Sequence, residues 1–394
     1  MERRAVVPPR LLVILGALTA IGPLSIDMYL PALPQLAADL SAGPVRAQLT
    51  LTACVVGLAL GQIVAGPLSD EWGRRRPLLI GLAAYASASL LCVVAPTVET
   101  LVGLRLVQGA AGAAGIVIGR AVVRDLYDGA AVAKVFSMLI LVMGLAPILA
   151  PVFGGQLLRV TRWQGVFFAL GAVGILLCLA ALFGLPETLP GDRRGNGGLR
   201  GTLVTFRGLV TDPSFMGYAV ASGMGFAAMF TYISGSPFVL QDIYGLSPQA
   251  FSVVFGTNAF GIVVASQIGG RLAGRVPLPR LLAAGLAVLV TGGVGLLVAV
   301  LAGVGLPGVL PALFLVVSAQ GLIGPNAQAL AMSGRPPRVA GSVSALLGVT
   351  MFAIGGAAAP LAGVAGPHTA VPMALVIAAL AVGAAAVAAL RRRE

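Results

Sequence analysis

The sequence predicts an all-α membrane protein in which twelve transmembrane helices form two pseudo-symmetric halves of six. Hydrophobic residues make up 58% of the 394 residues, charged residues only 10%, and the mean hydropathy is +1.00. A water-soluble domain of this length could not bury so large an apolar fraction. Apolar runs of about twenty residues, which cross roughly 30 Å of hydrocarbon as a helix, recur along the whole chain. A transmembrane barrel would show short alternating segments instead.

Twelve apolar runs are predicted as spans and are numbered 1 to 12 in chain order. They cover residues 11–30, 46–67, 77–95, 99–120, 134–158, 163–185, 213–238, 248–270, 280–302, 306–331, 339–364 and 369–390. The first run follows a basic start, as an export signal would. It continues past any small-residue cleavage site, so we expect it to remain as span 1. The polar stretch 186–212 predicts a linker between an N-terminal half, 1–185, and a C-terminal half, 213–394.

The distribution of positive charge predicts the orientation of these spans. Of the 25 Lys and Arg residues, 21 fall in the tails or in loops on the same side of the membrane as the tails. The opposite side has only Arg46, Arg159 and Arg162, and Arg105 lies within span 4. Because cytoplasmic loops are enriched in Lys and Arg, both termini are predicted to be cytoplasmic in a bacterial inner membrane. The net charge of +12 therefore reflects topology, and we expect no nucleic-acid partner.

The two halves also contain corresponding features. Pro31 at the end of span 1 has a counterpart in Pro237 at the end of span 7, about 205 residues later. Gly66 after span 2 has a similar counterpart in Gly270 after span 8. These offsets predict a parallel repeat of six helices, the arrangement in which secondary transporters place the substrate route between two halves.

The loop between spans 2 and 3 has an unusual pattern, "GPLSDEWGRRRPLL". Gly66 and Gly73 permit a tight turn. Asp70 can cap a helix N-terminus or pair with an arginine, and the arginine run that begins with Arg74 and Arg75 lies where anionic headgroups attract it. A positive-inside loop explains the arginines but not the spacing of Gly, Asp and Gly. The stretch resembles the signature loop of the major facilitator superfamily.

Two further stretches resemble motifs of the same superfamily. In span 4, "LVGLRLVQG" matches the second motif at Leu101, Arg105, Gln108 and Gly109. In span 5, "APILAPVFGG" is similar to the Pro- and Gly-rich motif of antiporter branches, with Pro147, Pro151, Gly154 and Gly155 as its motif residues. Ala150 replaces a frequent Gly there but is still small enough for close helix packing. A kink and a packing surface would explain this motif equally well.

Three stretches, "PLSIDMYLPALP", "YISGSPFVLQDIYGLSPQAF" and "AGSVSALLG", together resemble the Bcr/CflA drug-resistance transporters. This resemblance implies export of compounds such as bicyclomycin, chloramphenicol and florfenicol in exchange for protons, by alternating access. Two positions depart from the pattern. After the start of span 6, "RWQGVFF" has Gln164 where Trp-Arg is usual. The second-half loop "GGRLAGR" lacks the Asp of its first-half counterpart.

Asp27 and Arg105 are ionisable residues inside apolar spans. An ionised Asp at such a depth costs on the order of 3 kcal/mol, so it normally faces a partner or a watery cavity. Asp27 lies about 16 residues, or roughly 24 Å, along span 1, and Arg105 about 9 Å below the outer end of span 4. Their depths in a 30 Å slab differ by about 3 Å. We therefore expect the two side chains to meet.

The hypothesis is that Asp27 carries the proton and senses substrate, with Arg105 as the positive charge that adjusts it. The alternative is a static buried pair that fixes span 1 against span 4. Polar or aromatic residues that could line the substrate cavity are Tyr29, Gln62, Gln108, Tyr232, Asn258, Gln320 and Asn326. Each is also a candidate for an ordinary hydrogen bond between helices. A neutral, apolar cavity with one acid suits amphipathic, neutral or weakly cationic substrates.

Other functions remain open at this point. The same fold could export a metabolite or an amino acid, or take up a nutrient by symport. An enzyme is not expected, because the sequence offers no catalytic constellation. Cys54, Cys92 and Cys178 lie in separate runs, and His368 is the single histidine, so we expect no metal or other cofactor beyond protons. The expected partners are a small-molecule substrate and the lipid bilayer, with the chain as a monomer.

Overall fold

The computed structural model describes residues 9–127, 129–190, 207–333, 335, 340–366 and 368–390. Regular structure in these ranges is helical, apart from an isolated bridge between Ala273 and Val276. The α-helices are α1 Pro9–Asp27, α2 Leu33–Asp39, α3 Pro44–Trp72, α4 Arg75–Val93, α5 Val98–Leu126, α6 Gly129–Leu157, α7 Trp163–Gly184, α8 Pro213–Pro237, α9 Pro248–Leu272, α10 Leu278–Leu301, α11 Leu306–Ser318, α12 Gln320–Met332, α13 Ala340–Ala358 and α14 Val371–Leu390.

Eleven helical segments of the described ranges are long and apolar enough to cross a membrane. The remaining predicted span, span 5, corresponds to α6, a helix of 29 residues with Pro147 and Pro151 inside it. Eight spans are single helices: spans 2 to 6 correspond to α3 to α7, spans 8 and 9 to α9 and α10, and span 12 to α14. The other four spans change helix type or break within the span. The prediction of an all-α membrane fold is confirmed.

Span 1 extends beyond its predicted end at residue 30. α1 ends at Asp27, a short 3₁₀ helix covers Leu30–Ala32, and α2 continues to Asp39. Pro31 stands at the start of the 3₁₀ helix. Because proline lacks the N–H that an α-helix requires, the hydrogen-bond pattern changes there before α2 resumes the α-helix. Asp27 therefore lies at the end of a helix within the span and not at a helix centre.

Packing divides the chain into two compact units. The first comprises Met1–Gln35 and Ala53–Gly197, and the second comprises Leu36–Thr52 and Gly198–Glu394. The predicted division at 185 and 213 differs in placing 36–52 with the first half, and the predicted linker lies outside the described residues between 191 and 206. Arginines of both chain ends, which the topology argument used, also lie outside them.

The same pairs of spans pack together within each unit. In the first unit α1 packs against α5, α6 and α7, and α4 against α5 and α7. In the second unit α8 packs against α12, α13 and α14, and α10 against α11, α12 and α14. Shifting span numbers by six converts one set into the other. This agreement supports the predicted pseudo-symmetry at the level of helix packing.

Small residues on α5 bring its neighbours close. A Cβ atom at Gly109 would lie 2.1 Å from the carbonyl oxygen of Cys54 on α3. Cβ atoms at Gly112 and Gly115 would each lie 3.0 Å from the Ile21 side chain on α1. Glycines at such contacts let helix backbones approach closely in a membrane. α5 thus lies against both α1 and α3, and this packing positions Arg105.

Candidate functional site

Arg105 is completely buried on α5, facing α1. Its Nη1 donates to Gln108 Oε1 at 2.5 Å, and its Nη2 donates to the carbonyl oxygen of Ser25 at 2.8 Å. The guanidinium also lies 4.9 Å from the centre of the Tyr29 ring and 5.5 Å from that of Phe167. Aromatic faces stabilise a buried cation, most strongly where water is excluded. Backbone, amide and aromatic groups therefore surround the charge.

The hydrogen bonds of Gln108 extend this arrangement to α4. Its Nε2 donates to Ser89 Oγ at 2.7 Å, and Ser89 Oγ donates to the carbonyl oxygen of Tyr85 at 2.7 Å. Ser25 Oγ donates to the Ile21 carbonyl at 2.6 Å, so its contact of 2.7 Å with Tyr85 Oη has the tyrosine as donor. The network connects α1, α4 and α5. Sequence analysis missed Ser25, Tyr85 and Ser89, although each is a polar side chain within an apolar span.

No carboxylate neutralises Arg105 among the residues that the structure describes. Its Nε is buried without a hydrogen-bond partner. The ion pairs that the structure shows lie elsewhere, between Arg74 and Asp70, Arg74 and Asp125, and Arg335 and Asp212. The expected contact between Arg105 and Asp27 is absent.

The position of Asp27 around α1 explains this correction. Ser25 of α1 and Tyr29, two residues past the end of α1, both meet Arg105. At 100° per residue, Asp27 is about 200° from Ser25 around the helix axis. The comparison of depths placed Asp27 and Arg105 at similar heights in the membrane, but it did not consider which face of α1 carries Asp27. The proposed roles of Asp27 and Arg105 in proton coupling stay a prediction.

Asp27 lies on the α1 face that packs against α6. Gly16, eleven residues or about three turns earlier, shares this face, and a Cβ atom there would lie 3.4 Å from Val142 of α6. Met28, the next residue after Asp27, also lies against α6. A Cβ atom at Gly154 would lie 1.9 Å from the Met28 carbonyl oxygen. The Asp27 side chain is 6% exposed and makes no hydrogen bond or ion pair with a described residue.

The predicted motif of span 5 lies beside this acid. Pro147 and Pro151 are both inside α6, and Ala150 and Gly155 are buried. Each proline leaves the carbonyl four residues earlier without its intrahelical donor, so the oxygens of Met143 and Pro147 lack that bond. The motif thus combines close packing at Gly154, beside Met28, with two unbonded backbone carbonyls about two and three turns earlier on α6.

The signature loop between α3 and α4 differs partly from its predicted structure. Gly66 lies inside α3, which continues to Trp72, so it does not form the turn. Gly73 does, with φ of 87°, a left-handed conformation that favours glycine. Asp70 does not cap a helix but pairs with Arg74, one helical turn later. The prediction for Gly66 was wrong because Pro67 and Ser69 are accommodated within the last turns of a long helix.

Arg74 joins this loop to the ends of two other helices. Its Nε donates to Asp125 Oδ2 of α5 at 2.8 Å. The Glu187 carboxylate, after α7, accepts from the backbone N–H groups of Arg74 at 2.8 Å and Arg75 at 3.2 Å, at the N-terminus of α4. Burial opposes the charged form of Arg74, but the hydrogen bonds and charges of Asp125 and Asp70 outweigh it and raise the pKa above its usual value. Sequence analysis missed Asp125 and Glu187.

The second unit has a neutral polar cluster. Asn258 Nδ2 donates to Tyr232 Oη at 2.9 Å, and the Tyr232 ring stacks on Phe255 at 5.6 Å. Gln320 begins α12 just after the break that ends α11, and its Nε2 is buried without a partner. Asn326 Nδ2 donates to the Leu322 carbonyl within its own helix at 2.7 Å. These four side chains are uncharged.

Gln62 of the first unit is half-buried on α3 and has no hydrogen bond to a described residue. Asp212 caps α8 by accepting from the backbone N–H groups of Ser214 and Phe215, and it pairs with Arg335. Burial alone would raise the pKa of Asp212, but the hydrogen bond from Arg335 and those from the backbone lower it below its usual value. Sequence analysis did not predict the ion pair between Asp212 and Arg335.

Apolar helices in two related units, with charged and polar side chains buried in their interiors, define a multi-span membrane transporter of small molecules. The family model of the Major Facilitator Superfamily matches residues 15–360. The chain belongs to this superfamily, and its relatives are transporters and not enzymes.

Relatives also support the drug-resistance branch of the superfamily. The chain is 41% identical over 362 residues to "Uncharacterized MFS-type transporter YdgK" of Bacillus subtilis, with 91% of this chain and 90% of that protein covered. It is 31% identical over 359 residues to "Bicyclomycin resistance protein homolog" of Haemophilus influenzae, with the same coverage. The solved structure of the nucleoside transporter NupG has the same fold, with a TM-score of 0.80, 11% identity, and 96% and 98% of the two chains covered.

Proposed function

We propose that this transporter exports drugs or related small amphipathic molecules, of the phenicol or bicyclomycin type, in exchange for protons by alternating access. The observation that carries the proposal is the buried carboxylate of Asp27, which has no hydrogen bond or ion pair with a described residue inside a membrane span. The name of the Haemophilus influenzae relative supports the substrate class. The proposal also agrees with the resemblance of α6 to antiporter motifs.

Asp27 is the group that we expect to carry the proton. An ionised carboxylate in a membrane span costs on the order of 3 kcal/mol. Without a fixed partner, this charge is stabilised only when water or a substrate reaches it. A change in water access would therefore bind or release one proton. A substrate that enters beside Asp27 would compete with the proton, which gives exchange.

Arg105 acts in this proposal through α1 and not as an ion-pair partner. Its bond to the Ser25 carbonyl and its contact with Tyr29 hold one face of α1 against α5. Asp27 is on the other face, toward α6. Arg105 is thus a positioning residue, and its positive charge favours the ionised carboxylate at longer range.

The substrates that we expect are neutral or weakly cationic. The residues of the second unit that we propose for the cavity are buried and uncharged, namely Tyr232, Asn258, Gln320 and Asn326. They offer hydrogen bonds but no counter-ion for an anionic substrate. Aromatic rings at Tyr232 and Phe255 provide apolar surface. A largely apolar site with a few hydrogen-bonding groups suits an amphipathic molecule.

The test uses the full-length protein in proteoliposomes, with labelled chloramphenicol and an imposed pH gradient. Wild-type protein should move the drug against its gradient, driven by protons and abolished by an uncoupler. Asp27→Asn should lose proton-driven transport but keep drug counterflow, which needs no net proton movement. Asp39→Asn is the matched control, since Asp39 is an exposed acid at the end of the same span.

Two results would overturn parts of the proposal. Uncoupler-sensitive export that persists in Asp27→Asn would remove Asp27 from the proton pathway. Drug accumulation in the direction of proton flow would identify a symporter instead. Failure of every phenicol and of bicyclomycin, together with measurable proton-driven movement of an amino acid, would favour metabolite export on the same fold.

A further inference from the structure

Arg120 is the second arginine inside the membrane span of α5. It lies 22 residues after Val98, where the helix begins, or about 33 Å along the helix axis at 1.5 Å per residue. Arg105 lies about 10 Å along the same axis, so the two charges stand near opposite ends of a span of roughly 30 Å. Arg120 is half-buried, whereas Arg105 is completely buried. Arg124 follows in the last turn of the helix and is exposed.

The charge of Arg120 is not neutralised by an acid among the residues that the structure describes. Its Nη2 donates to Met143 Sδ of α6 at 3.6 Å, and a thioether is a weak acceptor. Asp125, the nearest acid along α5, is engaged elsewhere. It accepts from Arg74 Nε at 2.8 Å and from Thr188 Oγ1 at 3.1 Å. An uncompensated positive charge therefore stands at this end of α5.

Contacts of three nearby residues define the face of α5 that carries Arg120. Gly119 faces α1, Val117 faces α3, and Ala114 faces α4. Measured from Gly119 at 100° per residue, Val117 is at about 160° around the helix axis and Ala114 at about 220°. Arg120 is at about 100°, in the gap between the contacts with α1 and α3 and away from α4. The packing of α5 within its own unit therefore leaves this face uncovered.

The uncovered face matters because transporters built from two six-helix halves place the substrate route between those halves. Such a route runs along helix faces that each half leaves uncovered. Met143, which Arg120 contacts, is 38% exposed, so the guanidinium lies at an accessible surface of the first unit. We propose that Arg120 lies beside the substrate route and determines charge selectivity, by disfavouring permanent cations relative to neutral molecules.

This inference rests on the proposed drug export and narrows its substrate class. A neutral amphipathic molecule passes Arg120 without electrostatic cost, and a weak base passes in its uncharged form. A permanent cation is repelled. Two like unit charges about 12 Å apart, at an effective dielectric constant of about 20, repel enough to lower affinity about tenfold. Because no described acid neutralises Arg120, nothing on this face offsets the repulsion.

The test is chloramphenicol counterflow by the full-length protein in proteoliposomes, with tetraphenylphosphonium, a permanent lipophilic cation, as competitor. Identical buffer and salt on both sides ensure that no pH gradient or membrane potential acts on the cation. In Arg120→Gln, the concentration of cation that halves counterflow should be about tenfold lower than in wild type. The KM for chloramphenicol, which is neutral, should stay within about twofold. Arg120→Lys keeps the charge and should match wild type, whereas Arg120→Glu should lower the inhibitory concentration further.

Arg280→Gln is the matched control, because Arg280 is an exposed arginine at the start of α10 in the other unit. This substitution removes the same charge and should leave inhibition by the cation near wild type. Thermal unfolding of every variant identifies a folding defect. Should Arg120→Gln not fold, the comparison of Arg120→Lys with Arg120→Glu decides the question.

Two results would overturn the inference. Inhibition by the cation could be unchanged in both Arg120→Gln and Arg120→Glu, which would leave Arg120 as an anchor of the helix end at the membrane surface. The KM for chloramphenicol could change as much as inhibition by the cation, which would indicate a structural role. Lack of chloramphenicol counterflow by wild type would count against the proposed function instead. Direct binding of labelled tetraphenylphosphonium to wild type and Arg120→Gln then decides the inference, since equal affinities would refute it.

Discussion

The hydrogen-bond network around Arg105 gives the sharpest stability prediction. Replacing Gln108 with Leu removes the acceptor for Arg105 Nη1 and the donor to Ser89 Oγ. The leucine is apolar and fits a similar volume, so the principal change is loss of these two hydrogen bonds. Arg105 Nε already lacks a partner. The substitution therefore leaves a buried guanidinium with two of its nitrogens unsatisfied.

The magnitude follows from the kinds of hydrogen bond that are lost. A hydrogen bond to a charged group contributes about 1.5–3 kcal/mol and a neutral one about 1 kcal/mol. Loss of both lowers the free energy of unfolding by about 3 kcal/mol. For a unit of 150–250 residues, 1 kcal/mol moves the melting temperature by about 2–4 °C. The first unit has roughly 180 residues, so we expect a decrease of about 6–12 °C.

The natural assay is a thiol-reactive dye, because Cys54 and Cys92 are buried in the folded protein and react when it unfolds. Gln62→Leu is the matched control, the same substitution at a half-buried glutamine of α3 that has no hydrogen bond to a described residue. It should change the melting temperature by about 2 °C or less. An equal decrease in both variants, or no decrease in Gln108→Leu, would refute the structural role assigned to the network.

Two further predictions concern packing and acid sensitivity. Gly154→Ala should abolish proton-driven export and lower stability, because the new Cβ atom would overlap the Met28 carbonyl. Gly103→Ala is the control, since a Cβ atom there would have nothing within 4 Å. Transport and thermal unfolding assays should show export and stability near wild type for this control. The lowered pKa of Asp212 contributes stability that is complete above about pH 4 and is lost as pH falls through the folded value. Thermal unfolding of wild type and Asp212→Asn should therefore differ most near neutral pH and converge as the pH falls below the ordinary range of aspartate.

The number and position of the spans could be predicted because length and apolarity determine them directly. Breaks within the helices were harder to predict from the sequence. Pro31 predicts the end of span 1, yet the chain continues as 3₁₀ helix and α-helix to Asp39. A proline specifies a missing donor but not whether the next residues resume a helix. The prediction of a turn at Gly66 was wrong for a similar reason, because glycine allows a turn without requiring one.

Partners between helices were the least predictable part of the site. The depth of Asp27 and Arg105 could be deduced from residue counts, but contact also depends on which face of each helix the side chain occupies. Asp125 lies in the last turn of α5 and Glu187 follows the end of α7, and nothing in their local sequence indicates that both meet the signature loop. Three-dimensional packing of helices distant in sequence decides such pairings. Periodicity could have separated Ser25 and Tyr29 from Asp27 on α1, since they lie on opposite faces.

The two faces of α1 therefore differ in the helices that they contact. One face is fixed, because the Ser25 carbonyl and the Tyr29 ring bind the buried guanidinium of Arg105. The other face carries Asp27 toward α6, where Gly154 permits contact with the backbone of α1 at Met28. A neutral carboxyl group is tolerated in this buried contact, whereas an ionised one must be solvated or paired. Proton binding would then alter packing between α1 and α6 while α1 and α5 stay together, so the proposed coupling depends more on Gly154 than on any direct contact with Arg105.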